Sequence, residues 1–243
     1  MKVIVIIPTY NENKSIGPLI EALESEFLRI GNHQMGILIV DGNSPDGTAD
    51  IVKEKIALYK NINLIVEKEK RGLGIAYIHG MKYAVSELGA GAIVEFDGDG
   101  QHDPKDIKRL VAELDNGYDY VIGSRYVIGG KVPKDWGWHR KILSRFGSLI
   151  VRYGLWLPTH DNTSGLKLSR IEGFAGRLPL DENKILSKRH AYKIHLLYTM
   201  VKNGAKVKEI PIKFLSREAG DSKSTLEDIL ESLKVIFLLW IKK

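Results

Sequence analysis

Apolar residues follow two rhythms along this chain. Up to about residue 125, short unbroken runs of Val, Ile and Leu alternate with longer stretches in which apolar side chains return every three or four positions. The runs at 3–7, 36–40, 63–66, 92–96 and 120–122 have the pattern of strands buried on both faces. The stretches between them, 16–30, 48–59, 74–88 and 104–115, predict helices. The last carries Asp103 where an N-cap is wanted and Pro104 at the first helical position. Alternating strands and helices imply parallel strands joined by right-handed crossovers. The expected fold is therefore an α/β, mostly parallel open sheet flanked by helices. Ligands on such sheets bind beyond the carboxyl ends of the strands, so the segments after each run are where chemistry is expected.

Beyond residue 124 the rhythm changes. Residues 124–138 are rich in Gly, Pro and Lys and read as a long loop. Trp138, Ile142, Phe146, Leu149, Tyr153 and Trp156 then recur at helical spacing, with Arg140, Lys141, Arg145 and Arg152 among them. Such a basic amphipathic helix suits a membrane surface, and its apolar stripe suits a core equally well. A loop at 161–165, a helix at about 189–202 and a strand at 207–214 follow. The expected organisation is one domain over 1–224, its halves meeting near 125, and an amphipathic C-terminal helix within 225–243, running from about 225 to 241.

Composition narrows the chemistry. Without Cys there is no disulfide framework, thiolate metal site or Cys nucleophile. The longest purely apolar run is the seven residues 235–241, against the roughly 20 that a spanning helix needs. The first apolar run is too short for a signal segment and reads as a first strand. The net charge of +6 conceals an asymmetry: 13 basic and 19 acidic groups up to residue 120, then 23 basic and 11 acidic. A basic half suggests an anionic partner such as a phosphate, a membrane surface or a nucleic acid. The pI of about 9.2 makes a nucleic-acid-binding module a rival, but no RRM, KH or zinc pattern is present, so no nucleic-acid partner is expected.

Four segments could carry chemistry. The first run ends in Pro8-Thr9-Tyr10-Asn11-Glu12 and the second in Val40-Asp41-Gly42. There Tyr10 could stack a base and Asp41 accept from a ribose hydroxyl or base N–H, although Asn, Asp, Pro and Gly also make ordinary turns. The sharpest segment is Asp97-Gly98-Asp99-Gly100-Gln101. In extended chain, alternate residues point to one side, so Asp97, Asp99 and Gln101 could present oxygens to one Mg²⁺ or Mn²⁺, with water and phosphates completing its shell. A Ca²⁺ loop would want Glu where Lys108 stands, and a plain acidic turn is the other reading. Lys70-Arg71-Gly72-Leu73-Gly74 opens a helix and suits a phosphate, without being a P-loop. The seven histidines include no metal-binding i, i+4 pair, and none is assigned a catalytic role.

Taken in order, these segments resemble a known family. The chain contains Pro-Thr-Tyr-Asn-Glu (8–12), Asp-x-x-Ser-Pro-Asp-Gly-Thr (41–48), Gly-Leu-Gly-x-Ala-Tyr-x-His-Gly (72–80) and Asp-x-Asp-x-Gln-His-x-Pro (97–104). Gly-Ser-Arg-Tyr (123–126), Asp-x-Thr-Ser-Gly (161–165) and Arg-x-x-Gly-x-Ser-Lys (217–223) follow. Each is common alone, and all seven in this order are specific. From residue 3 to about 224 the chain resembles the family 2 glycosyltransferases of GT-A fold, and most of all their dolichyl-phosphate mannose synthase branch.

The resemblance implies roles for matching positions. Pro8, Tyr10, Glu12, Val40 and Asp41 would hold the nucleoside of GDP-mannose, in a nucleotide-sugar half of about 1–125. Asp97, Asp99 and Gln101 would gather Mg²⁺ or Mn²⁺ at the diphosphate, and Arg217 and Lys223 would meet the donor phosphates. Arg125, Arg140 and Ser144 would bind the phosphate of a dolichyl or other polyprenyl acceptor, in an acceptor half of about 126–224 with 126–139 as a mobile loop. Asp99 and Arg125 would be the residues on which catalysis most depends. The family transfers mannose with inversion. A phosphate acceptor is already anionic, its second pKa being about 6, so no essential base is expected. Two departures keep UDP-glucose open as the donor. Gly42 stands where the family commonly has a second Asp, and Lys193-Ile194-His195 where it commonly has Gln-x-Glu. The expected location is the cytoplasmic face of a membrane, held peripherally by amphipathic helices or by separate membrane subunits. Trp136, Trp138, Trp156 and Trp240 would suit the interface.

Overall fold

Ile4, Ile6, Leu38 and Val40 face one side of a central sheet, and Val3, Val5, Ile7, Ile37 and Ile39 face the other. The two-sided burial expected of unbroken aliphatic runs is therefore met. The computed structural model describes residues 1–216 and 226–241. Its strands are β1 (Lys2–Thr9), β2 (Gln34–Asp41), β3 (Ile62–Val66), β4 (Ala92–Glu95), β5 (Tyr120–Ser124), β6 (Lys167–Arg170) and β7 (Val207–Pro211). They form one sheet in the order β3-β2-β1-β4-β6-β5-β7. All neighbours run parallel except β6, which is antiparallel to both β4 and β5.

The helices are α1 (Ile16–Phe27), α2 (Thr48–Leu58), α3 (Leu73–Ser86), α4 (Lys105–Asp115), α5 (Trp138–Leu155), α6 (Tyr192–Lys202) and α7 (Leu226–Ile241). Helices α1, α2 and α4 cover one face of the sheet. Helices α3, α5, α6 and α7 contribute to the core on the other. Helix α3 lies close to the sheet: a Cβ on Gly80 would stand 2.8 Å from Ile6 and 2.9 Å from Val40. Pro104 is itself the N-cap of α4, so the helix starts one residue later than expected; the carboxylate of Asp103 accepts the Lys105 N–H at 3.0 Å.

Two features depart from the sequence pattern or settle it. Strand β6 was not expected, because Lys167-Leu168-Ser169-Arg170 has no aliphatic run; its register sets Lys167 opposite Glu95 inside the sheet. The apolar stripe of α5 is largely on the outside. Trp138 is 67% exposed and Tyr153 69%, with Ile142 and Phe146 exposed as well. The packed face is instead Ser148, Val151 and Leu155, and the last two join the core that holds Val235 and Leu239 of α7. Gly154 permits this approach, since a Cβ there would lie 3.1 Å from Ile236.

Candidate active site

The strand order changes direction between β1 and β4: the chain crosses outward from β1 to β2 and β3, then returns to pair β4 on the other side of β1. In open α/β sheets a crevice forms at that point, beyond the carboxyl ends. A cleft of about 680 Å³ lies there, lined among others by Pro8, Tyr10, Glu12, Lys70, Asp97, Asp99, Arg189 and His190. Segments separated by long stretches of sequence thus meet at the ends of β1 and β4. A smaller cavity of about 450 Å³ lies between α3 and residues 180–183; it includes His79 of the 72–80 segment but no residue assigned a role.

Within this cleft the expected residues differ in what they present. The Lys70 ammonium stands 3.9 Å from the centre of the Tyr10 ring. Glu12 accepts a hydrogen bond from the Ser15 hydroxyl, and Thr48 Oγ1 accepts the Glu12 N–H. Val40 and Asp41 do not line the cleft; both are wholly buried behind it. Asp41 Oδ1 accepts from the hydroxyls of Thr9 and Ser44, and Oδ2 from the Ser44 N–H at 2.8 Å. That is the turn chemistry which its sequence context also allowed. The Gly72–Gly74 turn serves close packing. Gly74 N–H donates to Lys188 O, and a Cβ on Gly74 would come within 2.7 Å of Arg189 O. Arg71 beside it is bound by Glu67 and Glu182.

Asp97 is constrained on four sides. Tyr77 OH donates to its Oδ1 at 2.8 Å, and the Lys193 ammonium lies 3.5 Å from its Oδ2. The ring of His102 is 3.9 Å away, and Gly165 closes the fourth side: a Cβ there would be 2.0 Å from Oδ2. Burial works against ionisation of Asp97, but Lys193, His102 and the Tyr77 hydroxyl hold its carboxyl below the ordinary value. Burial lowers the His102 imidazole to about 4, so the ring is neutral near pH 7. Asp99 also faces the cleft and its Oδ1 accepts the Gln101 N–H. Gln101 is turned away. Its side-chain amide donates to Leu215 O while Leu215 N–H donates to Gln101 O, tying this turn to the segment that precedes residue 217. Arg217 and Lys223 lie outside the described residues.

The donor set suits a divalent ion completed by phosphate better than a closed cage. Among the described residues no three His, Cys, Asp or Glu side chains converge on one point. Mg²⁺ and similar ions are commonly held by one or two carboxylates plus substrate phosphates, and Asp97 and Asp99 supply two in a cleft large enough for a nucleotide. The residues present therefore fit such an ion.

Arg125, Arg140 and Ser144 meet around an aromatic cluster. Arg125 packs on Tyr126 and Phe214, Phe214 on Trp136, and Arg140 on Trp136 at 4.1 Å. Ser144 accepts the Tyr126 hydroxyl. The Arg125 guanidinium is buried and already engaged, Nε and Nη2 each 2.7 Å from an oxygen of Asp161 and Nη2 also donating to Thr163. Burial disfavours its charge, and Asp161 more than restores it; reciprocally, Arg125 outweighs burial and lowers Asp161. The Asp161–Gly165 segment thus holds Arg125 at one end and touches Asp97 at the other. Sequence reasoning assigned no role to Tyr77, Asp161 or Lys193. Tyr77 and Asp161 sat inside quoted motifs, and Lys193 stood out as a departure.

Residues 4–175 match the Glycosyl transferase family 2 domain. The chain belongs to that family. It is 36% identical over 233 residues to polyprenol monophosphomannose synthase of Mycolicibacterium smegmatis, covering 96% of this chain and 84% of that protein. It is 36% identical to undecaprenyl-phosphate mannosyltransferase of Micrococcus luteus, covering 92% and 87%. The same identity holds for dolichol-phosphate mannosyltransferase of Pyrococcus furiosus, covering 98% of this chain and 64% of that one. Among solved structures, glucosyl-3-phosphoglycerate synthase from Mycobacterium tuberculosis, bound to Mn²⁺ and UDP-glucose, superposes with a TM-score of 0.64 at 18% identity, over 99% of this chain and 78% of that one. Mannosyltransferase PcManGT from Pyrobaculum calidifontis, bound to GDP-Man and Mn²⁺, gives 0.55 at 19% identity, over 90% and 58%. The α/β fold of this family 2 glycosyltransferase is thus shared with enzymes of different substrates, and the relatives closer in sequence are named as mannosyltransferases.

Proposed function

We propose that the protein transfers mannose, with inversion, from GDP-mannose to the phosphate of a dolichyl or other polyprenyl carrier. The observation that carries this reading is the junction at Asp97 and Gly165. Two carboxylates at the end of β4 face a nucleotide-sized cleft, and the segment touching Asp97 also holds the Arg125 cluster. Donor and acceptor phosphates would then meet across Gly165. The names of the three relatives support a polyprenyl phosphate acceptor and mannose as the sugar.

The acceptor phosphate would attack the anomeric carbon. A bond forms from its oxygen to that carbon as the bond from the carbon to the diphosphate breaks, and the electron pair leaves with the nucleoside diphosphate. No proton has to be removed from a dianionic phosphate, which fits a site whose one fully buried imidazole, His102, is held neutral and packed between Phe96 and Phe214. Asp97 and Asp99 would hold Mg²⁺ or Mn²⁺, whose chemistry there is to offset charge developing on the leaving diphosphate. Arg125 and Arg140, with Ser144, would hold the acceptor phosphate by charge-assisted hydrogen bonds. Arg217 and Lys223 would serve the donor phosphates.

The exposed faces of α5 and α7 favour peripheral attachment to a membrane surface, and the proposed location is its cytoplasmic face. Trp138, Ile142, Phe146, Leu230, Phe237 and Trp240 are exposed, and large exposed apolar patches mark interaction surfaces. No helix among the described residues is long and apolar enough to cross a membrane.

The test is transfer of labelled sugar to undecaprenyl phosphate in vesicles with Mn²⁺, from GDP-mannose and separately from UDP-glucose. A mannolipid formed from GDP-mannose supports the reading. Product from UDP-glucose alone would make the enzyme a glucosyltransferase, and no lipid product from either would sink the assignment.

A further inference from the structure

Lys193 and Asp97, 96 residues apart in the sequence, meet at the donor cleft. Lys193 lies in the first turn of α6, is only 4% exposed, and has its ammonium 3.5 Å from Asp97 Oδ2. The rings of Tyr77 and Tyr192 stand 5.8 and 5.9 Å from the same ammonium. A lysine on a surface usually extends its head group into water; this one is enclosed and forms an ion pair with Asp97. Asp97 is pinned in turn by the Tyr77 hydroxyl, His102 and Gly165. Other titratable groups around the pair are Asp99 and His190, which line the cleft, and the buried Glu95 and Lys167.

A divalent cation shared by Asp97 and Asp99 would share Asp97 with this ammonium. Like charges a few ångströms apart in a partly buried site repel strongly and are weakly screened by salt. Without nucleotide, that repulsion is opposed by the carboxylates of Asp97, Asp99 and the buried Glu95. A nucleoside diphosphate would offset it, because its negative charge lies beside both cations.

We propose that Lys193 is a positioning residue that reserves Asp97. It pairs Asp97 while the cleft is empty, so that a divalent cation is taken up only together with the diphosphate of the donor. The inference rests on the donor-cleft reading above. Cation and nucleotide then bind cooperatively, and by thermodynamic linkage each strengthens the other by the same factor.

The experiment is a Mn²⁺ titration followed by electron paramagnetic resonance, without nucleotide and with GDP or UDP, on the wild type and K193Q. For the wild type, Mn²⁺ should bind about tenfold or more tightly with nucleotide than without, the range of an ordinary coupling energy. K193Q should bind Mn²⁺ alone about tenfold more tightly than the wild type, and the nucleotide effect should shrink accordingly. A merely structural lesion would weaken binding; removing a competing charge strengthens it. Equal Mn²⁺ affinity in folded K193Q and wild type overturns the proposal. So does a wild type that takes Mn²⁺ alone as tightly as with nucleotide, a comparison that decides the matter even if K193Q does not fold. Should neither nucleotide bind, the donor reading fails, and the Mn²⁺-only comparison still decides the role of Lys193.

Discussion

Arg125 and Asp161 form a buried two-pronged ion pair, Nε to Oδ2 and Nη2 to Oδ1, each at 2.7 Å. The main-chain N–H of Arg125 donates to the same Oδ2 at 2.9 Å. An arginine that resembles an acceptor-phosphate ligand is thus also part of the frame. Arg125→Ala would strand a buried carboxylate, and breaking one side of such a pair costs about 3–5 kcal/mol. Urea unfolding should show a loss of that order. In the double variant R125M/D161N the neutral amide can still accept the Arg125-position N–H, so the double should be more stable than R125A. A surface-like loss under about 1 kcal/mol for R125A would refute the pairing. Acceptor affinity is best tested with Arg125→Lys, which keeps a charge opposite Asp161.

Gly165 predicts a sharper separation of stability from function. A Cβ there would stand 2.0 Å from Asp97 Oδ2 and 2.7 Å from His102 Nε2. Gly165→Ala must therefore displace Asp97 or its own segment. Overpacking of this kind costs about 1–3 kcal/mol, and displacement of a group at the reacting centre by 1 Å can reduce turnover about 100-fold. The expected outcome is a folded protein with a modest fall in Tm and turnover lowered by at least that factor. Turnover close to wild type would show that Asp97 need not hold its position.

Asp99 is the second carboxylate beyond β4 that faces the cleft. It lies at the cleft, partly exposed, and accepts the Gln101 N–H. Asp99→Asn keeps an acceptor and removes a charge. We expect Tm to change little and metal-dependent turnover to fall at least about 100-fold, within the several kcal/mol that charge stabilisation at such a site supplies. Wild-type turnover in D99N would remove Asp99 from the metal site.

Lys167 and Glu95 set a pH dependence. They lie opposite each other in β6 and β4, fully buried, with Tyr192 OH donating to Glu95 at 2.6 Å. Burial lowers the Lys167 amine to about 8 although Glu95 opposes the shift. In the unfolded chain this amine binds a proton up to its ordinary 10.5. Between about 8 and 10.5 the unfolded state therefore binds more protons, and this contribution to stability rises with pH across that window. Urea unfolding at pH 8 and 9.5 should show a gain of roughly 1–2 kcal/mol that is missing from the double variant E95Q/K167M. An equal gain in that variant would assign the effect to other groups.

The sequence made the frame visible where side chains repeat with a fixed period. Five of the seven strands, β1 to β5, follow from aliphatic runs, and β7, expected over 207–214, ends at Pro211. β6 escaped because two of its three buried residues are Lys167 and Ser169, with Leu168 alone between them, so it has no aliphatic run. Asp97 and Asp99 were legible from local spacing. Lys193 beside Asp97, and Asp161 beside Arg125, depend on contacts between segments 96 and 36 residues apart, which no local pattern encodes. The spacing of α5 showed a stripe but not its direction, because a helix with apolar residues on more than one side can turn either to the core.

That stripe yields the last prediction. Phe146 of α5 and Phe237 of α7 are each 58% exposed, so neither owes its presence to the core. Basic Arg140, Arg145 and Lys234 are exposed on the same two helices, a combination that suits an anionic lipid surface. Phe146→Glu and Phe237→Glu should each weaken binding to phosphatidylglycerol-containing vesicles by about tenfold or more, since withdrawing one aromatic ring from lipid forfeits at least about 1.5 kcal/mol. Tm should hold, because neither ring is buried. Turnover on a short-chain, water-soluble acceptor phosphate should hold too, because the cleft is untouched. Co-sedimentation with vesicles measures the first effect and a solution assay the last. Unchanged sedimentation in the double variant would mean that this face meets something other than lipid. Loss of both activities together would mean that α5 and α7 support the cleft itself, through the ion pairs that Arg189 makes with Asp228 and Glu227 at the cleft edge.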